Sequence, residues 1–479
     1  MTLPQIGLDR DTVLARLKEY GADDLPARGG RTFAYVYDAG RPDVDEVAHE
    51  AYARFLDVNG LDPTVFPSLL RLENEVVGMT ASHLGGDERT VGSFTSGGTE
   101  SILLAVKAAR DGSEVDAPEM VLPVTAHAAF QKAAHYFGVR PVLVDVDPKT
   151  FRADVEAIRA AVNERTILLV ASAASYAHGV VDPVEEIAAL ARERGIRCHV
   201  DGCIGGWLLP FFRRLGADVP PFDLSVPGVT SLSVDLHKYA YAAKGASVLL
   251  FADNALRRPS YYACADWTGY TMVNATVQST KSGGPVAAAW AVLQTVGDQG
   301  YLELARKTLS AKRRLVDGVD ELDGLRVLGE PEMALIAMAA DDPAVNVFAV
   351  CDEMSARGWY VQAQLSYRGM PASIHLTVTA SSDALVDALL ADLSASVEAA
   401  RTAGTGADPT MLEAVPALDP DELPADVLGT LLPLAGLEPG GGLPERMAPI
   451  NALMEAMPPR LRERLLVEYL GLLFTPARP

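Results

Sequence analysis

Between about residue 65 and residue 255 the chain alternates short apolar runs with helical stretches, and this constrains its fold more than anything else in the sequence. The runs are MVLPVTA, PVLVDVD, TILLVASAA, RCHVDG, SLSVDLH and SVLLFAD, and amphipathic segments such as PVEEIAALARERG lie between several of them. Alternating strand and helix is the signature of an α/β layer with a mostly parallel sheet. Such sheets place ligands in the loops beyond the carboxyl ends of their strands. The residues that follow the runs are therefore expected to be functional: Ala126 and His127, Ser172 to His178, Asp201 to Cys203, and His237 with Lys238.

The flanks read differently. Residues 1–60 read as an N-terminal helical arm, with a Gly/Arg-rich turn (ARGGRTF) before a helix around VDEVAHEAYARFL. After the alternating region comes a long helical stretch, VAAAWAVLQTVGDQGYLELARKTLSAKRRLVDGV, which connects to a second unit. Residues 321–400 mix the expected strands LRVLG, ALIAMAA, NVFAV and SIHLTVT with helices, as in a small α+β domain. Residues 401–479 form an extension in which TAGTGADPT, ALDPDELPAD and GLEPGGGLPE read as linkers. The last apolar-periodic piece, RERLLVEYLGLLF, reads as a helix that docks on the body. The division is thus 1–60, 61–320, 321–400 and 401–479.

At 479 residues the chain is too long for one simple core, and its net charge of −22 argues against a nucleic-acid partner or an anionic membrane surface. The N-terminus has early acids and no apolar leader core, and no run of eighteen apolar residues occurs, so neither a signal peptide nor a membrane span is expected. The four cysteines form no CxxC pair, which argues against a zinc knuckle or a disulfide framework and leaves no metal expected. They suit a reducing cytoplasm.

Three stretches could carry chemistry. FTSGGTES puts Gly97, Gly98 and Thr99 at a helix start, where backbone can approach a ligand closely and free N–H groups favour a phosphate. Alone, it could be an ordinary glycine-rich helix start. HVDGCIGGW ends a buried strand on Asp201, a carboxylate that is costly to bury unless it is paired, though it could also cap a helix. DLHKY ends another strand on His237 and Lys238. A desolvated lysine has a lowered pKa, which makes a neutral amine available to attack an aldehyde; the alternative is a lysine snorkelling from a strand end. Taken together on one sheet, a phosphate cradle, a strand-end Asp and a strand-end His-Lys are what pyridoxal 5'-phosphate needs. His127, just after an apolar strand, places a flat imidazole where it can stack on the cofactor ring.

Along nearly its whole length the chain resembles the fold-type I pyridoxal-phosphate-dependent decarboxylases and lyases, and within them the sphingosine-1-phosphate lyases. The stretches that carry the resemblance are GLDPTVFPS, FTSGGTESILLAVKAARD, TAHAAFQKAAHYF, SYAHGVVDPVEEIAALA, HVDGCIGGWLLPF, DLHKYAYAAKGASVLLF and GGPVAAAWAVLQTVGDQGYLE. The resemblance implies an α/β fold with a mostly parallel seven-stranded sheet and a smaller α+β C-terminal domain. It makes Lys238 the Schiff-base lysine and Asp201 the partner of the pyridine nitrogen, and stacks His127 on the ring. Gly98, Thr99 and His237 would contact the cofactor phosphate. Lys244, on the AxKG loop, would lie near the substrate, assist protonation, lower the pKa of Lys238 or bind an anionic group. The resemblance also implies a homodimer with sites at the subunit interface, where Gly283 and Gly284 lie on a loop reaching the other subunit's cofactor.

Three stretches depart from the pattern. FAYVY, Phe33 to Tyr37, stands where the family has SGAVY; LDP, Leu61 to Pro63, where it has LHP; and Thr280-Lys281-Ser282-Gly283 where it has Ser-Arg-Pro-Gly. Two of these regions resemble parts of the family's substrate and phosphate pocket, and Asp62 in place of a histidine would repel a substrate phosphate. The expected activity is a carbon–carbon lyase that cleaves a phosphorylated amino alcohol to an aldehyde and an amine. The alternatives are an amino-acid decarboxylase, a non-catalytic binding protein that keeps the fold, and an aminotransferase using Arg368 to hold a carboxylate.

Overall fold

The computed structural model describes residues 2–418 and 444–476. Most of the expected linkers ALDPDELPAD and GLEPGGGLPE lies outside the described residues. Three helices lead in: α1 (Arg10–Tyr20), which buries no residue, α2 (Pro42–Arg54) and α3 (Pro67–His83).

The expected sheet has seven strands: β1 (Val91–Thr95), β2 (Glu119–Pro123), β3 (Arg140–Val144), β4 (Thr166–Ser172), β5 (Arg197–Asp201), β6 (Ser231–Val234) and β7 (Ser247–Phe251). Their order is β1-β7-β6-β5-β4-β2-β3. All neighbouring pairs from β3 to β6 are parallel, and β7 runs antiparallel to both of its neighbours. Helices cover the sheet, among them α4 (Gly98–Asp111), α5 (Ala129–Phe137), α6 (Val155–Ala161), α7 (Val184–Arg194) and α8 (Leu209–Arg214). Strands covered on both faces become continuous apolar runs, and β4 and β7 are buried at every position. β1 was not expected from the sequence; VGSFT is short and half polar, and it is a strand because β7 pairs with all of it.

A short helix α9 (Asn254–Arg257) and the hairpin β8 (Tyr262–Cys264) and β9 (Met272–Asn274) precede the long helix α10 (Gly283–Asp320). That helix is interrupted at Gly297, with φ 60° and ψ 174°. The second sheet is antiparallel in the order β10 (Leu325–Val327), β11 (Leu335–Ala340), β13 (Ser373–Thr377), β12 (Gln362–Gln364). The expected strand NVFAV is instead the start of helix α11 (Val347–Ala356). The reason is local: the Asn346 side chain accepts from the Phe348 and Ala349 amides at 2.9 and 3.2 Å, which satisfies the open amides of a first turn. Helix α12 (Val386–Ala403) packs beside it.

The expected terminal helix is Pro459–Leu473, with Leu461 and Leu465 buried in a cluster with Leu453 and Val415. Its neighbour Ala448–Ala456 is tied to α11 by Asp352, which accepts from the Met447 and Ala448 amides at 2.8 and 3.0 Å. Among the described residues no helix is long and apolar enough to cross a membrane.

Candidate active site

The carboxyl ends of the parallel strands open into a cavity of about 560 Å³. Lys238, Asp201, His127, Lys244, Gly97, Gly98, Thr99 and His237 all line it, so eight of the expected site residues converge on one space. Sheet order explains how: β5 delivers Asp201, the turn after β6 delivers His237 and Lys238, and α4 begins opposite them.

Asp201 is buried, and its Oδ1 accepts from the Cys203 amide at 3.0 Å and the Ser233 hydroxyl at 3.4 Å, which fixes the carboxylate at the strand end. His127 Nδ1 accepts from the Ala129 amide at 3.1 Å, so the imidazole is held at the start of α5 with the rest of its ring facing the cavity. At Gly98 the backbone passes so close to its neighbours that a Cβ would lie 2.7 Å from Cys203 Sγ and 2.8 Å from both Asp235 oxygens. Only glycine fits there, and it leaves the amides of the α4 start facing the cavity. The Ser96 amide donates to Glu100 at 2.6 Å, and the other oxygen of Glu100 accepts from the Val277 amide at 2.8 Å, which braces the same turn.

The electrostatics of Lys238 reverse the expectation. Burial alone would push its pKa down, but the buried Asp235 carboxylate outweighs it; Asp235 Oδ2 lies 2.9 Å from Lys238 Nζ, and the lysine holds its proton more tightly than usual. The charge of Lys244 does not overcome Asp235. Instead Lys244 is itself shifted down, by burial and then by the charge of Lys238. Its Nζ donates to the Tyr35 carbonyl at 3.0 Å and lies 5.0 Å from the centre of the Tyr37 ring. His237 is shifted down by burial, so it is neutral near pH 7.

Other expected residues fall elsewhere. Gly283 and Gly284 do not line this chain's cavity and are not on a loop; they open α10 and pack on the α2 region. A Cβ would meet the Val58 carbonyl at 2.8 Å at the first and the Tyr52 ring at 2.8 Å at the second. Arg368 is outside the cavity, on the surface, paired with Asp145 at 2.9 Å. Asp62 is also outside it, where its carboxylate accepts from the Thr64 amide at 2.8 Å. His178 is buried against Phe151, with ring centres 4.1 Å apart, and is not a cavity residue.

One wall of the cavity brings Tyr176, within the expected stretch Ser172 to His178, together with Gln362, which the sequence did not point to. Tyr176 donates to Gln362 Oε1 at 2.6 Å, and Gln362 Nε2 donates to the Tyr35 hydroxyl at 2.7 Å. These three residues come from the turn after β4, from β12 and from the N-terminal segment. FAYVY held a signal for Tyr35 and Tyr37; the three-residue strand that carries Gln362 held none.

A lysine and a carboxylate at neighbouring strand ends, facing a helix start and a fixed imidazole, define a pyridoxal-phosphate enzyme of the open α/β type. The groups present fit that cofactor: a helix start and an imidazole for a phosphate, a carboxylate for a ring nitrogen, an amine for an aldehyde. His237 Nδ1 is a buried cavity group that still has no hydrogen-bond partner. The chain belongs to the pyridoxal-dependent decarboxylase family, whose conserved domain matches residues 32–340. Residues 409–472 match a C-terminal putative HTH domain of pyridoxal-dependent enzymes.

Two curated relatives are sphingosine-1-phosphate lyases. The Dictyostelium discoideum protein is 40% identical over 400 residues, covering 83% of this chain and 74% of that one. The Arabidopsis thaliana protein is 43% identical over 359 residues, covering 73% of this chain and 65% of its own length, so the relatives extend well beyond the matched region. The solved Burkholderia pseudomallei sphingosine-1-phosphate lyase superposes with a TM-score of 0.79 at 35% identity, covering 84% of this chain and 93% of that one.

Proposed function

We propose that the chain is a pyridoxal-phosphate-dependent carbon–carbon lyase that cleaves a phosphorylated long-chain amino alcohol to an aldehyde and a phosphorylated amine. The observation that carries this reading is the pair of lysines in one cavity, in unlike settings. Lys238 sits at a strand end against Asp235, suited to the cofactor aldehyde. Lys244 sits at the tyrosine-lined side, suited to an anionic group of the substrate. Among the described residues no arginine lines the cavity, which speaks against a carboxylate clamp of the aminotransferase kind.

When bound, pyridoxal phosphate supplies a conjugated ring that accepts the electron pair of the broken bond. The chain supplies the rest. The Gly97–Thr99 turn and His237 would hold the phosphate. Asp201 would keep a proton on the ring nitrogen, and His127 would lie against the ring. Lys238 would hold the aldehyde carbon and, when free of it, would stay in the cavity as a proton-carrying group beside Asp235.

Exposed Tyr262, Trp267, Tyr270, Val273 and Val277 around the β8–β9 hairpin support a homodimer with sites at its interface. The acidic excess within residues 409–472 supports a non-nucleic-acid role for the C-terminal unit, and the unpaired cysteines support a cytoplasmic setting. The end of α10 at Asp320 supports the division at residue 320, whereas α12 runs through residue 400 to Ala403.

The test is a product assay of the holoenzyme, with Lys238→Ala as the blank. Phosphoethanolamine and a long-chain aldehyde from sphingosine 1-phosphate establish the reading. Carbon dioxide and an amine from an amino-acid panel, with no aldehyde, replace it with a decarboxylase.

A further inference from the structure

Asp235, the counter-charge of Lys238 in the free chain, is the most confined charge in the cavity. It is 3% exposed, and its Oδ2 lies 2.9 Å from Lys238 Nζ and 3.7 Å from His237 Nε2. Its Oδ1 has no hydrogen-bond partner. The close passage of Gly98 presses the start of α4 onto the same carboxylate, and the positive end of a helix favours an anion there.

Every other group facing Lys238 is a poorer counter-ion. Tyr37, from the N-terminal segment, and Cys203, after β5, are both shifted up by burial and stay protonated. Tyr176, after β4, is pushed up to about 12 by burial. His237 is neutral, Lys244 is a cation, and Asp201 is taken up by Cys203 and Ser233.

We propose that Asp235 is a positioning residue that keeps one positive charge on the nitrogen of Lys238, both in the free chain and once that nitrogen is joined to the cofactor. This rests on the pyridoxal-phosphate reading for its second half only. The joining step balances without an outside proton. An ammonium and an aldehyde give a protonated C=N bond and one water: the nitrogen forms two bonds to the aldehyde carbon, the carbonyl oxygen leaves as water with two of the three ammonium protons, and the third stays on nitrogen beside Asp235. A protonated C=N carbon is the more electrophilic form, so the carboxylate prepares Lys238 for displacement by the substrate amine.

The first measurement needs no cofactor. The full chain is treated with acetic anhydride over a range of pH, and acylation of Lys238 and Lys244 is followed by mass spectrometry. The midpoint for Lys238 is expected above that for Lys244; a midpoint at or below it overturns the proposal. In Asp235→Asn the Lys238 midpoint is expected to fall by about one to three pH units.

The second measurement loads both chains with pyridoxal phosphate and titrates the visible band of the protonated C=N bond. In Asp235→Asn the band is expected to disappear at a pH lower by a similar one to three units. An unchanged transition overturns the proposal. If the wild-type chain binds no pyridoxal phosphate, the functional reading fails while the acylation midpoints still decide the charge of Lys238. If Asp235→Asn does not fold, the wild-type comparison of the two lysines decides alone.

Discussion

The cavity floor and the seam between the two sheets both bury titratable side chains, and they do so in opposite ways. On the floor Lys238 and Asp235 form a buried ion pair, with Asp201 nearby. At the seam His178 stacks on Phe151 and His375 on Tyr176, with ring centres 4.1 and 4.3 Å apart, and burial pushes the two imidazoles down to about 4 and about 3. Charge is kept where a reaction needs it. Where packing alone is at stake, the same kind of burial leaves the group neutral.

That contrast can be broken most severely at Lys238. Lys238→Ala is expected to remove the visible cofactor band and lower turnover by roughly 10³-fold or more, measured by spectrum and product assay. Asp201→Asn removes the charge proposed to hold the ring proton. It is expected to cost roughly 10²–10³ in kcat while leaving the fold's circular dichroism intact.

Lys244→Gln sharpens the comparison within the cavity. A charge-assisted contact to a substrate anion is worth about 1.5–3 kcal/mol, so KM for a phosphorylated substrate is expected to rise roughly 10–100-fold with the cofactor band unchanged. At the seam the readout is stability. Unfolded histidines titrate near 6.5, while His178 and His375 hold out to about 4 and about 3, so the unfolded state takes up more protons as the pH falls through that window. Stability is expected to decline from pH about 6.5 downward. His375→Gln should remove one proton from unfolding, flattening the slope near pH 5 by about 1.4 kcal/mol per pH unit in denaturant titrations.

What the sequence revealed follows the same division. Lys238, Asp201 and His127 were legible because each ends or follows a buried strand, a place where a polar residue needs a reason. Asp235 stands in the same DLHKY stretch, three residues before the lysine. A spacing of three residues does not say that the turn after β6 folds the two side chains back to 2.9 Å, and without that contact burial alone points the Lys238 shift downward. NVFAV read as a strand because its β-branched residues outweighed one capping asparagine. Gln362 was invisible: it lies on a three-residue strand of intermediate burial, and its importance comes only from docking.

The bond between Gln362 and Tyr35 joins residues 327 apart in the chain. Closing so long a loop on its own would cost about 5 kcal/mol of chain entropy, against about 1 kcal/mol returned by one hydrogen bond. The loop is closed instead by backbone: the Phe33 amide donates to the Tyr360 carbonyl at 2.8 Å and the Thr377 amide to the Phe33 carbonyl at 2.7 Å, so the N-terminal segment is already laid along the small sheet when Tyr35 meets Gln362. Tyr176, after β4, then bonds that pair to the large sheet, so the N-terminal segment and the small sheet meet the lysine floor as one joined wall, held across the seam by a single tyrosine hydroxyl in this chain of bonds.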